Sequence, residues 1–220
     1  MGRNENERTD RITELIFIID KSGSMHGCES DTVGGFNSIL KEQRESGREV
    51  LVNTVLFDTH TTVLHDRIPI DSVKDMTEED YRTGGCTALL DAVGSTLERL
   101  SGIRKYLRRE DIPGKTLCVI NTDGYENASQ KYTAEQVKRS VGSLTEQGWE
   151  FIYLGADIDA VEGAREIGIR SERAVKYGKD NGGVERCYRM VNCAVSLVEA
   201  AEDRVDDNSM DSLLDTIRKK

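Results

Sequence analysis

Two carboxylates and three hydroxyls sit where oxygen chemistry could be concentrated. Asp20-Lys21-Ser22-Gly23-Ser24 places one carboxylate and two hydroxyls on alternate residues, and Gly23 lets the backbone turn tightly between the serines. In an extended loop that alternation aims all three groups at one point. Thr83-Gly84-Gly85-Cys86-Thr87-Ala88 offers a third hydroxyl, on Thr87, after a flexible glycine pair, and Thr122-Asp123-Gly124 adds a second carboxylate. An all-oxygen set with no well-placed His or Cys suits Mg²⁺, Mn²⁺ or Ca²⁺ rather than zinc. Mg²⁺ takes six ligands at roughly 2.0–2.1 Å and retains waters readily. Three neutral hydroxyls leave a dication electrophilic, with a position open to an anionic oxygen from outside.

These residues need elements that bring them to one place. Leu15 to Ile19 is an unbroken apolar run ending at Asp20, the pattern of a strand buried on both faces. Lys115 to Thr122 is a second such strand, directly before Asp123. Val33, Phe36, Ile39 and Leu40 recur at helical spacing within Thr32–Ser46, and Gly47 is a stop signal. Val50–Phe57 and Thr62–Ile70 are rich in β-branched residues and close enough for a hairpin, which predicts one antiparallel edge strand. A helical run follows from Ala88, at Leu89, Leu90, Val93, Leu97, Leu100, Ile103 and Leu107. Thr133–Gln147 predicts a helix ended by Gly148, and Trp149–Leu154 a strand. A short helix over Asp159–Ile167, a small strand near Ala174–Tyr177 and a long helix over about Val184–Asp203 complete the pattern.

This alternation predicts an α/β domain: a doubly wound, mostly parallel central sheet with one antiparallel edge strand and helices on both faces. In such sheets ligands bind beyond the carboxyl ends of the strands, which is where Asp20, Ser22, Ser24, Thr87 and Asp123 fall. The domain is expected over residues 13–205. A flexible amino-terminal segment (1–12) and a loosely attached carboxyl-terminal tail (206–220) flank it.

The bulk numbers narrow the partners. A net charge of −10, from 40 acidic against 30 basic side chains, gives no positive footprint for nucleic acid or an anionic membrane surface. No apolar run approaches the roughly 20 residues a membrane span requires. A polar start, Met1 to Arg11, carries no targeting pattern. Five scattered cysteines lack zinc-knuckle or redox-pair spacing, so reduced thiols in a cytoplasm are the simplest expectation.

Asp20-x-Ser22-x-Ser24, Thr87 and Thr122-Asp123-Gly124 resemble the metal-ion-dependent adhesion site (MIDAS) of von Willebrand factor type A (vWA) domains. The likeness runs from about Thr13 to about Glu199 and includes a Thr-Ala-Leu-Leu-Asp run at Thr87–Asp91. It implies a Rossmann-like fold in which Ser22, Ser24 and Thr87 are direct ligands of a divalent cation, Mg²⁺ first, and Asp20 and Asp123 act mostly through water. It also implies a binding module, not an enzyme, that captures Asp or Glu of a protein or peptide partner. Asn121 departs from the family, which has an apolar residue there. The short chain is similar to stand-alone bacterial or phage members.

Other readings compete at several positions. Asp20 could be the nucleophile of a Mg²⁺-dependent phosphatase resembling the haloacid dehalogenases. That family, however, has an acid two residues later, where this chain has Ser22. No Gly-x-Ser-x-Gly elbow surrounds Ser22 to make it a hydrolase nucleophile. A metal that only ties loops together would make the domain a structural scaffold. Asp157 and Asp159 could enlarge the site, but Asp159 with Glu162 is a capping-box-like pair. Asp91 could hold a metal-bound water, hold a backbone group or lie on a solvated face. Cys28 and Cys86 sit on two of the same loops, and chance placement of reduced thiols is preferred to a redox switch. His26 is expected to be exposed or hydrogen-bonded.

Overall fold

The computed structural model describes residues 12–155, 160–178, 183–201 and 204–218. Six strands form one sheet: β1 (Thr13–Asp20), β2 (Val50–Phe57), β3 (Thr61–Pro69), β4 (Lys115–Thr122), β5 (Trp149–Gly155) and β6 (Ala174–Lys176). Their order is β3-β2-β1-β4-β5-β6. All neighbouring pairs are parallel except β2 with β3, so the predicted antiparallel hairpin forms one edge. Among the described residues six α-helices accompany it: α1 (Glu29–Ser46), α2 (Leu89–Arg104), α3 (Ala134–Glu146), α4 (Ala160–Glu166), α5 (Gly183–Ala200) and α6 (Asp207–Arg218).

Side-chain alternation along β1 divides the interior in two. Leu15, Phe17 and Ile19 face α1, α5 and α6, whereas Ile16 and Ile18 face α2, α3 and α4. Leu117 and Val119 of β4 take the first side, Cys118 and Ile120 the second. Every residue of β1 is buried. At about 1.5–3 kcal/mol per fully buried large apolar side chain, this strand contributes to both cores at once. Register does the rest. Ile19 lies opposite Asn121, and Thr122 opposite Gly155, so β1, β4 and β5 end level along one edge of the sheet.

Helix boundaries differ from expectation for local reasons. Helix α1 starts one turn earlier, at Glu29, because Gly27 (φ 89°) turns the chain and Glu29 and Asp31 suit the positive end of the helix dipole. Helix α2 stops at Arg104, whose guanidinium donates to the Pro113 carbonyl and Thr116 Oγ1. Thr133 caps α3 through the reciprocal pair with Gln136.

One expectation is corrected at the carboxyl terminus. Within the segment expected to be a tail, Asp207–Arg218 form the packed helix α6, with Met210 and Leu214 fully buried in the core. Arg173, itself buried, pairs with Asp207 and Asp211 of α6 and with Glu150 of β5, and Arg170 adds bonds to the same two aspartates. Met1 to Arg11, Asp157 and Asp159 lie outside the described residues. No described helix is long and apolar enough to cross a membrane. None of the five cysteines is in a disulfide; Cys28 is buried and Cys86 exposed.

Candidate metal centre

Asp20 closes β1 and is fully buried. Its Oδ1 accepts the Ser22 amide at 2.7 Å, and its Oδ2 accepts the Thr122 hydroxyl at 2.6 Å. The carboxylate thereby ties the first loop to the end of β4. Burial pushes its pKa up to about 6, against the hydrogen bonds from Thr122 and Ser22 that lower it and with Asp123 adding to the rise. Beyond Asp20 the chain makes one 3₁₀ turn, Gly23–Met25, anchored by the buried Met25.

The three hydroxyls meet above that turn. Ser22 Oγ lies 3.0 Å from Ser24 Oγ, and Thr87 Oγ1 donates to Ser22 Oγ at 3.0 Å. Ser24 Oγ donates to Asp123 Oδ1 at 2.6 Å. All five residues singled out in the sequence are therefore joined in one hydrogen-bonded chain across three loops. Gly124 presses against it: a Cβ there would come within 2.6 Å of Thr87 Oγ1 and 3.0 Å of Ser24 Oγ.

The donor set fits a hard dication. Every convergent atom is oxygen, and the 3.0 Å hydroxyl separations equal the edge of an octahedron with bonds of roughly 2.1 Å, about 3 Å. A glycine leaves the space beside the cluster clear.

The second loop is bound to the first at two points, Gly84 amide to Lys21 carbonyl (2.8 Å) and Gly23 amide to Gly85 carbonyl (3.1 Å). Gly85 adopts φ 75°, and a Cβ there would sit 2.9 Å from Thr59 Oγ1, so both conformation and space require glycine. Lys21 adds an ion pair to Asp58 at 3.1 Å. Thr87 is fixed by its backbone amide, which donates to Asn127 Oδ1 (2.9 Å), and by the Asn127 amide, which donates to the Thr87 carbonyl (3.1 Å).

Sequence reasoning missed several supports. Glu126 caps α2 from outside, accepting the Leu90 amide and those of Ala128 and Ser129. Asp91 accepts the amides of Gln130, Lys131 and Tyr132 and so holds a backbone segment, one of its expected uses. Partial burial raises the Asp91 carboxyl, but those amides outweigh it and leave the pKa below the ordinary value. Tyr81 donates from its buried hydroxyl to the Asp20 carbonyl oxygen. No helical or strand periodicity marks these residues, although Glu126 and Asn127 follow Gly124 closely enough to have been suspected.

Asn121, the departure from the family, is explained by its neighbours. Its Nδ2 donates to the Tyr188 hydroxyl at 3.2 Å, and the Tyr177 hydroxyl donates to its Oδ1 at 2.9 Å. A polar side chain is buried here because two tyrosines satisfy it. His26 is exposed, with Nδ1 3.1 Å from Glu29 Oε1, and it takes no part in the hydroxyl cluster.

Comparison with known proteins agrees with this architecture. No curated protein matches the chain. Among solved structures it is similar to the PilB minor pilin of Streptococcus sanguinis (TM-score 0.62, 12% identity, covering 84% of this chain and 61% of that one). It is also similar to the vWF domain of the type V pili tip protein Mfa5 of Porphyromonas gingivalis (TM-score 0.61, 10% identity, 86% and 97% covered). A third is proximal thread matrix protein 1 of the mussel byssus, solved with a zinc-occupied MIDAS motif (TM-score 0.57, 15% identity, 83% and 45% covered). The chain thus spans 61% of the pilin's length and under half of the mussel protein's. At these identities the likeness is one of fold. A family profile described as "VWA domain containing CoxE-like protein" matches residues 1–164, most of the chain, and with the sheet order and level strand ends above, the protein belongs to that branch of the von Willebrand factor type A family.

Proposed function

We propose that this protein is a cation-dependent binding module that captures an Asp or Glu carboxylate of a protein or peptide partner. One observation carries the reading: the Ser22, Ser24 and Thr87 hydroxyls lie 3.0 Å apart in series, with the Asp20 and Asp123 carboxylates both hydrogen-bonded to the loop that carries the two serines. Mg²⁺ is the expected cation, with Mn²⁺ or Ca²⁺ as alternatives. Ser22, Ser24 and Thr87 would hold it, supported by Asp20 and Asp123. The mussel neighbour, with zinc at its MIDAS motif, lends support to a dication on this fold.

A bound cation would supply a Lewis-acidic, positive point on an otherwise acidic edge. The chain's own residues set that edge: Glu29, Asp31, Asp123 and Glu126 surround the loops and repel a carboxylate when no cation intervenes. Asp20 holds the loops together from below. Its burial, with both oxygens already accepting hydrogen bonds, argues against the phosphatase reading, which needs that carboxylate free to attack phosphorus. Binding rather than turnover, in a reducing compartment, is the function we assign.

Calorimetry and thermal melts with Mg²⁺, Mn²⁺ and Ca²⁺ test the reading. One equivalent should bind and raise Tm, because a ligand specific to the native state adds RT ln(1 + [L]/Kd) to stability. Asp20→Ala should abolish the effect. A wild-type protein indifferent to millimolar levels of all three cations would sink the proposal.

A further inference from the structure

Beside the hydroxyl cluster lies a cleft of about 260 Å³ that shares the Asp123–Gly124 backbone with it. Leu89 and the ring of Tyr153 make its floor, Tyr125 stands at its rim, 64% exposed, and Glu162 and Glu166 of α4 form a wall. The two glutamates are exposed, one helical turn apart, and neither enters an ion pair among the described residues. No Lys, Arg or His is among the described lining residues.

A second observation marks the cleft as built to receive something. Tyr153 is only 4% exposed, yet its hydroxyl lines the cleft and has no hydrogen-bond partner among the described residues. Gly163 keeps the space above it clear, since a Cβ there would stand 2.7 Å from that hydroxyl. A hydroxyl aimed into a cleft, with no partner of its own, is open to a polar group from outside.

Resting on the carboxylate-capture reading above, we infer that this cleft takes a cationic side chain, Lys or Arg, carried on the same partner segment as the captured acid. Charge complementarity selects it. A partner acid held at the metal edge lies beside the cleft that Glu162 and Glu166 line, and a cation next to it in the partner turns their repulsion into attraction. The chemistry of the lining matches the whole side chain: Leu89 and the Tyr153 ring take the methylenes, the Tyr153 oxygen accepts an N–H, the glutamates meet the charge, and the Tyr125 face is a cation–π surface. The partner motif is therefore zwitterionic, an acid for the cation site and a base for the cleft.

The test uses the full chain, saturating Mg²⁺ and synthetic peptides of one length. Each carries a Glu with an Arg placed one, two or three residues to either side, and in matched peptides Gln or Glu replaces that Arg, or Gln replaces the Glu. Mg²⁺ binding to the protein alone is measured first by calorimetry. The best Arg-Glu peptide should bind at least ten-fold tighter than its Gln-Glu counterpart and should shift the amide resonances of Gly124, Gly155 and Gly163. Glu162→Gln/Glu166→Gln should erase that preference with Mg²⁺ affinity unchanged, and Glu162→Lys/Glu166→Lys should reverse it in favour of the Glu-Glu peptide. Equal binding of Arg-Glu and Gln-Glu peptides, both still lost in EDTA, would overturn the cleft inference and leave carboxylate capture standing. Peptide binding that ignores EDTA and survives replacement of the Glu would overturn carboxylate capture and this inference with it.

Discussion

The Tyr81 hydroxyl donates its proton to the backbone carbonyl of Asp20, directly beneath the loop that carries Ser22 and Ser24. The bond is buried at both ends and joins a loop residue to the last residue of the central strand. Tyr81→Phe leaves that carbonyl without its donor, a cost of about 1–3 kcal/mol. In a domain of this size each kcal/mol moves Tm by roughly 2–4 °C. Melts with and without Mg²⁺ should show a lower Tm and a smaller gain from the cation. An unchanged gain would mean that the loop holds its shape without Tyr81.

Gly124 gives a sharper test of the cluster, because a methyl group there is aimed at Thr87 Oγ1 and Ser24 Oγ. Gly124→Ala should reduce cation affinity at least ten-fold, with the cation-free fold intact by circular dichroism. Thr87→Val should do the same and Thr87→Ser should retain binding, since only the hydroxyl is asked to act. Equal affinity in Thr87→Val and wild type would remove Thr87 from the ligand set.

Asp91 sets a pH dependence. Its carboxyl is held below the ordinary value, so its contribution to stability is fully present above about pH 4 and is lost as pH falls through the folded-state value. Asp91→Asn should be less stable than wild type at neutral pH by about 1–3 kcal/mol, because the charged acceptor of three amides is gone. That margin should be flat above pH 5 and shrink in more acidic buffers. Denaturant titrations of both proteins across pH 3–7 measure it, and a margin that grows toward acid would contradict the assignment.

Helix α6 is part of the domain's core. A chain ending at Asp206 loses two fully buried side chains, Met210 and Leu214, each worth about 1.5–3 kcal/mol. It also leaves the buried Arg173 with Glu150 alone. The truncated protein should melt more than 10 °C lower or fail to accumulate folded. A truncation with wild-type Tm would show that α6 contributes nothing to the core.

Legibility in the sequence followed the range of the interactions. Strands β2 and β4 begin and end where their apolar runs do, and the five cluster residues were visible because each lies within a few residues of a strand end or a glycine turn. Glu126 capping α2, the identity of the segment that Asp91 holds (residues 130–132) and the Tyr177–Asn121–Tyr188 chain were not visible, because each depends on segments brought together only by the finished sheet. Helix α6 escaped for a related reason. Its polar surface resembles a solvated tail, and only the docking of Met210 and Leu214 and the Arg173 clamp give it a place.

The cluster's bonds join residues 65, 99 and 102 positions apart in the chain. A nascent polypeptide therefore cannot assemble the hydroxyl cluster until β4 has been made and paired with β1. Contacts so far apart in sequence are the slow ones to form. A cation should accordingly leave the refolding rate almost unchanged and act by retarding unfolding, which makes its occupancy a clock for how long the assembled edge persists rather than a guide to how it is built.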